Sequence, residues 1–249
     1  MSEYWRFWVV LCALCFSSGT LKADSKEVRL TSLEWPPYVG QSLPSQGASA
    51  AVAREAFNAM GYKLVIDFYP WTRAVNLAKS NPRFVGYFPE YYSSQRAREF
   101  IYSDAMGSGS LGFAERVNKP FIWNSLSDLT WVKIGVVQDY VNTAEFDTRL
   151  AKNQLKVDVA TSDLKNLQKL HGKRIDLAVV DKNVFNFLLE NDAELADAQK
   201  SLRFNERILE EKRFYVCFKR SPEGERMQKI FNQGLKKINV AAIMSQHLK

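Results

Sequence analysis

The residues able to do covalent or metal chemistry are few and scattered. His171 and His247 lie far apart, and neither belongs to a metal spacing such as His-x-x-x-His. No Gly-x-Ser-x-Gly elbow occurs, and Cys217 falls within the strand-like run Phe214 to Phe218, where burial is the ordinary fate of a thiol. The expectation is a protein that is not an enzyme and that holds no metal and no cofactor. A cleft carboxylate such as Glu34, used for dehydration, is the remaining enzymatic alternative.

Residues suited to gripping a small molecule are better represented. Trp35 precedes Pro36-Pro37-Tyr38 in a loop between a strand and a helix, a place where aromatic rings form walls more readily than core. Trp71 opens a helix, and Tyr91 and Tyr92 stand just before Arg96. Arg73 reads either as a handle for an anion or as a helix-face charge. Asp181 follows an apolar strand directly, so it serves either a ligand cation or the N-terminus of the next helix.

The elements that must position these residues alternate. Val28 to Ser32 reads as a strand, and Ala48 to Met60 as a helix stopped by Gly61. Leu64, Ile66 and Phe68 alternate as a second strand, and Trp71 to Ser80 is a helix ended by Asn81-Pro82. The pattern restarts with a strand at Ile134 to Val137, a helix near Thr143 to Lys152, a strand around Val157 to Val159, a helix through Leu164, Leu167 and Leu170, and a buried strand at Ile175 to Val180. A strand returns at Phe214 to Phe218, followed by one final helix burying Met227, Ile230, Phe231, Leu235 and Ile238. Such alternation implies parallel sheets with ligands bound beyond the carboxyl ends of their strands.

The N-terminus carries an address. Tyr4, Trp5 and Arg6 precede an apolar run from Phe7 to Phe16, then Ser17, Ser18 and Gly19, with a cut expected after Ala23. The run is too short to span a bilayer, so residues 1–23 read as a secretory signal and the expected location is the periplasm. Cys12 and Cys15 leave with the signal, and Cys217 alone cannot form an internal disulfide. The net charge of +7 invites a nucleic-acid reading, but acids interrupt the basic residues, as in Glu210-Glu211-Lys212-Arg213. No nucleic-acid partner is expected, and the chain reads as a monomer.

The ordered set Trp35-Pro36-Pro37-Tyr38, Trp71-Thr72-Arg73, Ser93-Ser94-Gln95-Arg96, Asp128-Leu129, Ile134-Gly135-Val136 and Gly172-Lys173-Arg174-Ile175-Asp176 with Asp181 resembles the bacterial solute-binding proteins of the polar amino-acid type, extracellular solute-binding protein family 3. The resemblance implies an α/β, two-lobed, periplasmic-binding-protein-like fold of type II, each lobe a sheet flanked by helices. Residues 24–114 and 215–249 would form one lobe and 115–214 the other, hinged near 113–117 and 213–217. It implies capture of a small polar, amino-acid-like ligand for the membrane permease of an ABC importer, or presentation of that ligand to a membrane receptor. The family's carboxylate-binding arginine falls at Arg96 and its ammonium-binding acid at Asp181; a guanidinium grips a carboxylate through two parallel bonds. Trp35, Tyr38, Trp71 and Tyr91 would be walls, with Arg73 as a second anionic handle. Where family members offer glycine and hydroxyl residues at the second lobe's first helix, this chain has Asp139, Tyr140 and Val141. Asp139 there opposes an anion and suits a cationic group.

Overall fold

The computed structural model describes residues 26–248; the secretory signal expected at 1–23 lies outside the described residues. Two βαβ arrays, one from each half of the chain, are joined by long antiparallel strands. In the first array β1 (Lys26–Ser32) pairs in parallel with β2 (Tyr62–Phe68) and with β3 (Gly86–Tyr91). In the second, β6 (Lys133–Val137) pairs in parallel with β7 (Lys156–Ala160) and β8 (Leu177–Asp181). Every residue of β3 and of β8 is buried, as expected of strands covered on both faces.

Two strands stitch the arrays together. β5 (Gly107–Arg116) and β9 (Leu202–Lys219) pair antiparallel along most of their length. β9 also pairs with β3 and with the short β4 (Phe100–Tyr102), and β5 pairs with β8. Where two separate sheets were expected, the ladder is therefore continuous, with order β2-β1-β3-β9-β5-β8-β6-β7 and β4 on β9. The reason is that the two crossing strands stay paired with each other while passing between arrays. Their register slips at Leu111/Gly112 and Gly112/Ala114, so the ladder is irregular at the crossing.

Helices cover the arrays. α1 (Ala48–Asn58) buries its small residues Ala48, Ala50, Ala53 and Ala56, packs on α7 (Pro222–Leu235), and is followed by Gly61 at φ +76°. α2 (Trp71–Ser80) buries Trp71, Ala74, Val75 and Ala78, one stripe at helical spacing, and stops before Pro82. A short helix, α3 (Ser94–Glu99), follows β3. The second array carries α4 (Ala144–Ala151), α5 (Asp163–His171) and α6 (Lys182–Asn191). The single final helix expected from the sequence is divided: α7 ends at Leu235, and α8 (Val240–His247) begins after the cap Asn239, whose side chain accepts from the Ala242 amide. Cys217 is buried within β9. Among the described residues no helix is long and apolar enough to cross a membrane, and no group of three His, Cys, Asp or Glu is placed to hold a metal ion.

Candidate functional site

Parallel strands end in a row, so the loops leaving their carboxyl ends project side chains into one space. From the first array that space receives Trp35 and Tyr38, in the loop after β1; Trp71, at the start of α2 after β2; and Glu90 and Tyr91, at the end of β3. The second array contributes Asp139 and Tyr140 after β6, Asp163 at the start of α5 after β7, and Asp181 at the end of β8. The two arrays meet face to face there.

Direct bonds cross the junction. The Trp35 indole N–H donates to Asp163 Oδ2 at 3.2 Å, and the Tyr38 hydroxyl donates to Asp181 Oδ1 at 3.0 Å. Asn183 Nδ2 in turn donates to the Tyr38 oxygen at 2.8 Å. Trp71 Nε1 and Arg96 Nη2 both donate to the carbonyl of Asp139, each at 3.1 Å, and the Thr72 hydroxyl donates to its carboxylate. Asp139 presents that carbonyl from a left-handed backbone, φ +61°.

Aromatic rings fill the junction. Trp35 and Tyr38 have centroids 4.8 Å apart, Tyr38 meets Phe214 edge-on at 4.6 Å, and Tyr91 stacks on Phe214 at 5.7 Å. Trp71 meets the Tyr140 edge across the arrays at 5.8 Å. Two crevices remain between these rings. One, beside Leu33, Trp71, Glu90 and Phe214, has a cavity volume of about 30 Å³ and opens to solvent. The other, beside Leu111, Asn142, Asp163 and Asp181, has a cavity volume of about 10 Å³, the space of about one water. Trp35, Tyr91, Tyr140 and Val141 line both.

The electrostatics of this space are acidic. Burial pushes Glu90 up to about 7, against the opposing pull of Arg96, whose Nε donates to Glu90 Oε2 at 3.1 Å. Burial, with the charge on Asp181 adding to it, pushes Asp163 up to about 7. Burial also pushes Asp181 up to about 6, although the Tyr38 hydroxyl and the amides of Asn183 and Val184 favour its charged form. Asp181 thus caps α6, as the sequence allowed, using Oδ1 alone; its Oδ2 is buried and unpartnered. The buried Tyr91 hydroxyl is unpartnered too.

Of the residues singled out from the sequence, the structure gathers Trp35, Tyr38, Trp71, Tyr91, Arg96, Asp139, Tyr140 and Asp181 at this junction. Arg73 is not among them: it is exposed, with its guanidinium over the Tyr69 ring at 5.1 Å. Arg96 is half-buried and engaged by Glu90 and Asp139, and it lines neither crevice. Sequence reasoning missed Glu90, Asp163, Asn183 and Phe214. Asp163 carried a weak signal, an acid following Ser162 at a helix start, which reads as ordinary capping until the indole opposite is seen.

No protein-family model and no curated protein matches this sequence. Solved structures do share its architecture. A histidine kinase sensor domain with similarity to periplasmic binding proteins superposes with a TM-score of 0.74 at 17% identity, covering 90% of this chain and 96% of that one. The fold is that of the two-lobed periplasmic binding proteins. The GluR0 ligand-binding core from Nostoc punctiforme, in complex with L-glutamate, gives a TM-score of 0.69 at 17% identity over 88% of this chain and 96% of that one. An amino acid ABC transporter substrate-binding protein from Streptococcus pneumoniae, bound to L-arginine, gives 0.70 at 12% identity over 89% and 92%.

Proposed function

We propose that this protein is an exported solute-binding protein that captures a small polar, amino-acid-like molecule between its two arrays and closes on it, without altering it. The observation that carries this reading is the junction itself: aromatic walls and buried carboxylates from the carboxyl ends of both sets of strands face one another across two crevices. In this reading the hinge lies near 113–117 and 213–217, where β5 and β9 run between the arrays, and the irregular register beside Gly112 supports flexing of those strands. A closed state favoured by ligand requires contacts made better when closed, and residues from both arrays are in position to make them.

Delivery of the solute to a membrane permease of an ABC importer fits the substrate-binding protein bound to L-arginine. Presentation to a membrane receptor is the second reading, and likeness to the histidine kinase sensor domain favours it. Both place the protein in the periplasm as a monomer. The test is a solute panel read by thermal unfolding and solution scattering. A matching solute raises the melting temperature and narrows the radius of gyration; tight binding with an unchanged scattering curve would remove lobe closure from the mechanism.

A further inference from the structure

Three of the six large apolar side chains left exposed among the described residues, Val117, Ile122 and Trp131, belong to the segment that joins β5 to β6. Ile122 is the extreme case, at 96%. It is held in that position, because its neighbours Phe121 and Trp123 are buried and anchored. The Phe121 amide donates to the buried Glu115 carboxylate at 2.8 Å, the Phe121 carbonyl accepts from Asn205 Nδ2 at 2.9 Å, and the Trp123 indole donates to Asn205 Oδ1 at 3.2 Å. Trp131, 61% exposed, packs on the Phe121 ring with centroids 5.8 Å apart. Scattered apolar residues at a surface are ordinary, whereas an isoleucine pinned outward beside an exposed indole marks a contact surface.

Cations flank this pair. The Lys119 ammonium lies 5.4 Å from the Phe121 ring centroid, the Arg207 guanidinium lies 5.0 Å from that of Trp123, and Lys133 follows Trp131 by two residues. Their acidic partners are shared or missing. Asp176 serves both Arg116 at 3.2 Å and Lys119 at 2.8 Å, and Asp158 serves both Lys133 and Lys169. Arg207 forms no ion pair among the described residues. The exposed acids of this stretch are Glu206, next to Arg207, and Asp128, which accepts from the amides of Asn124 and Ser125. The balance around Ile122 and Trp131 is therefore positive.

We propose that the segment between β5 and β6 docks on the surface of an anionic phospholipid bilayer. Ile122 enters the acyl boundary, the Trp131 ring lies at the level of the headgroups, and Lys119, Lys133 and Arg207 meet their phosphates. A second copy of the chain fits this face poorly, since a two-fold contact would set its cations against themselves. A bilayer needs no matching pocket and accepts a projecting side chain as it stands. The assignment goes beyond the solute-binding reading and does not depend on it.

The test is cosedimentation with vesicles of phosphatidylglycerol and phosphatidylcholine, mixed equally, against vesicles of phosphatidylcholine alone. Wild type and variants share one N-terminus, so any contribution from residues 1–23 is common to all. The wild type should prefer the mixed vesicles, and Ile122→Ser should weaken that binding about fivefold or more. Lys119→Gln combined with Arg207→Gln should weaken it by roughly tenfold and flatten its salt dependence. Ile122→Ser should melt within about 2 °C of the wild type, because a side chain this exposed adds little to packing, and this separates lost docking from lost folding. Lipids brominated on their acyl chains should quench wild-type indole emission, and Trp131→Phe should lose much of that quenching, since Trp35, Trp71 and Trp123 are buried. Equal vesicle binding by wild type and Ile122→Ser overturns the assignment. So does a dimer in sedimentation velocity that Ile122→Ser abolishes, which would give the face to a second copy. A solute that raises the melting temperature of wild type and Ile122→Ser alike supports the solute-binding reading whichever way the vesicles fall.

Discussion

The Tyr38 hydroxyl donates to Asp181 Oδ1 at 3.0 Å, joining residues 143 apart in sequence and on opposite sides of the junction. Both are almost wholly buried, and the same tyrosine oxygen accepts from Asn183. Tyr38→Phe keeps the ring against Trp35 and Phe214 but leaves Asp181 with its amide donors alone. The junction should lose about 1–3 kcal/mol, the worth of a hydrogen bond to a buried carboxylate. Scattering would then report a larger mean radius for the variant than for the wild type in the absence of solute. Equal radii would show that this bond does not hold the arrays together.

Stability should fall as pH rises through the weakly acidic range. Glu90, Asp163 and Asp181 have folded values near 7, 7 and 6, above those of unfolded carboxyls, so each binds its proton more tightly when folded. Their contribution is fully present below about pH 4 and is lost as pH climbs through 6 and 7. Asp163 faces the Trp35 indole, the Tyr140 hydroxyl and the Asp181 charge; Asp181 faces Tyr38, the amides of Asn183 and Val184, and Glu211. Comparison with Asp163→Asn isolates one group. The variant and wild type should melt together near pH 4.5, and the variant should gain on the order of 2 kcal/mol by pH 8. A difference that stays flat across that range would remove Asp163 from the set of strained carboxylates.

Glu90 and Arg96 should behave as a coupled pair. Arg96→Gln leaves Glu90 buried with the Tyr87 hydroxyl, which donates at 2.9 Å, and the Tyr91 amide, but no cation. At pH 8 the expected cost is on the order of 3 kcal/mol. Arg96 is among the groups that hold Glu90 down to about 7, so in the variant the acid takes up its proton above that pH and the cost shrinks as pH falls. The double variant Glu90→Gln with Arg96→Gln should recover most of the loss, and urea unfolding of all four proteins closes the cycle. Additive losses would mean that the two residues act independently.

Gly109 lies in β5 where the two arrays meet, and its missing side chain makes room for the junction. A Cβ there would collide with Asp181 Oδ2 and the Tyr38 hydroxyl, and would stand 2.9 Å from the Phe214 ring. Gly109→Ala should therefore cost about 1–3 kcal/mol through overpacking and loosen the Tyr38–Asp181 contact. Near-ultraviolet circular dichroism would register the displaced rings. An unchanged spectrum together with unchanged stability would show that the junction has slack at this point.

Much of the fold was legible because helices and buried strands write their periods locally. The stripe of α2, the glycine stop after α1 and the apolar run of β8 each follow from neighbours in sequence. β9 was underestimated. Its segment Asn205 to Arg213 is crowded with charges that mask a period-two pattern, yet it is strand because it pairs with β5 through the crossing. The break between α7 and α8 was missed for the opposite reason: the apolar spacing runs on through Ile238 while the chain changes direction.

By itself the sequence determined which residues stand at the ends of which strands, and so which rings and charges reach the cleft: Trp35, Tyr38, Trp71, Tyr91, Tyr140 and Asp181. Only the tertiary structure decided how those charges are used. Arg96 is drawn to Glu90 within its own array, and Asp163 meets Trp35 across the junction, because partners in a folded chain are chosen by proximity in space and by the cost of burying an unpaired charge. Neither quantity is written in residue spacing. A carboxylate with donors on both oxygens and one with a single oxygen satisfied look the same along the chain, and only the packed arrays tell them apart, as at Asp181 Oδ2.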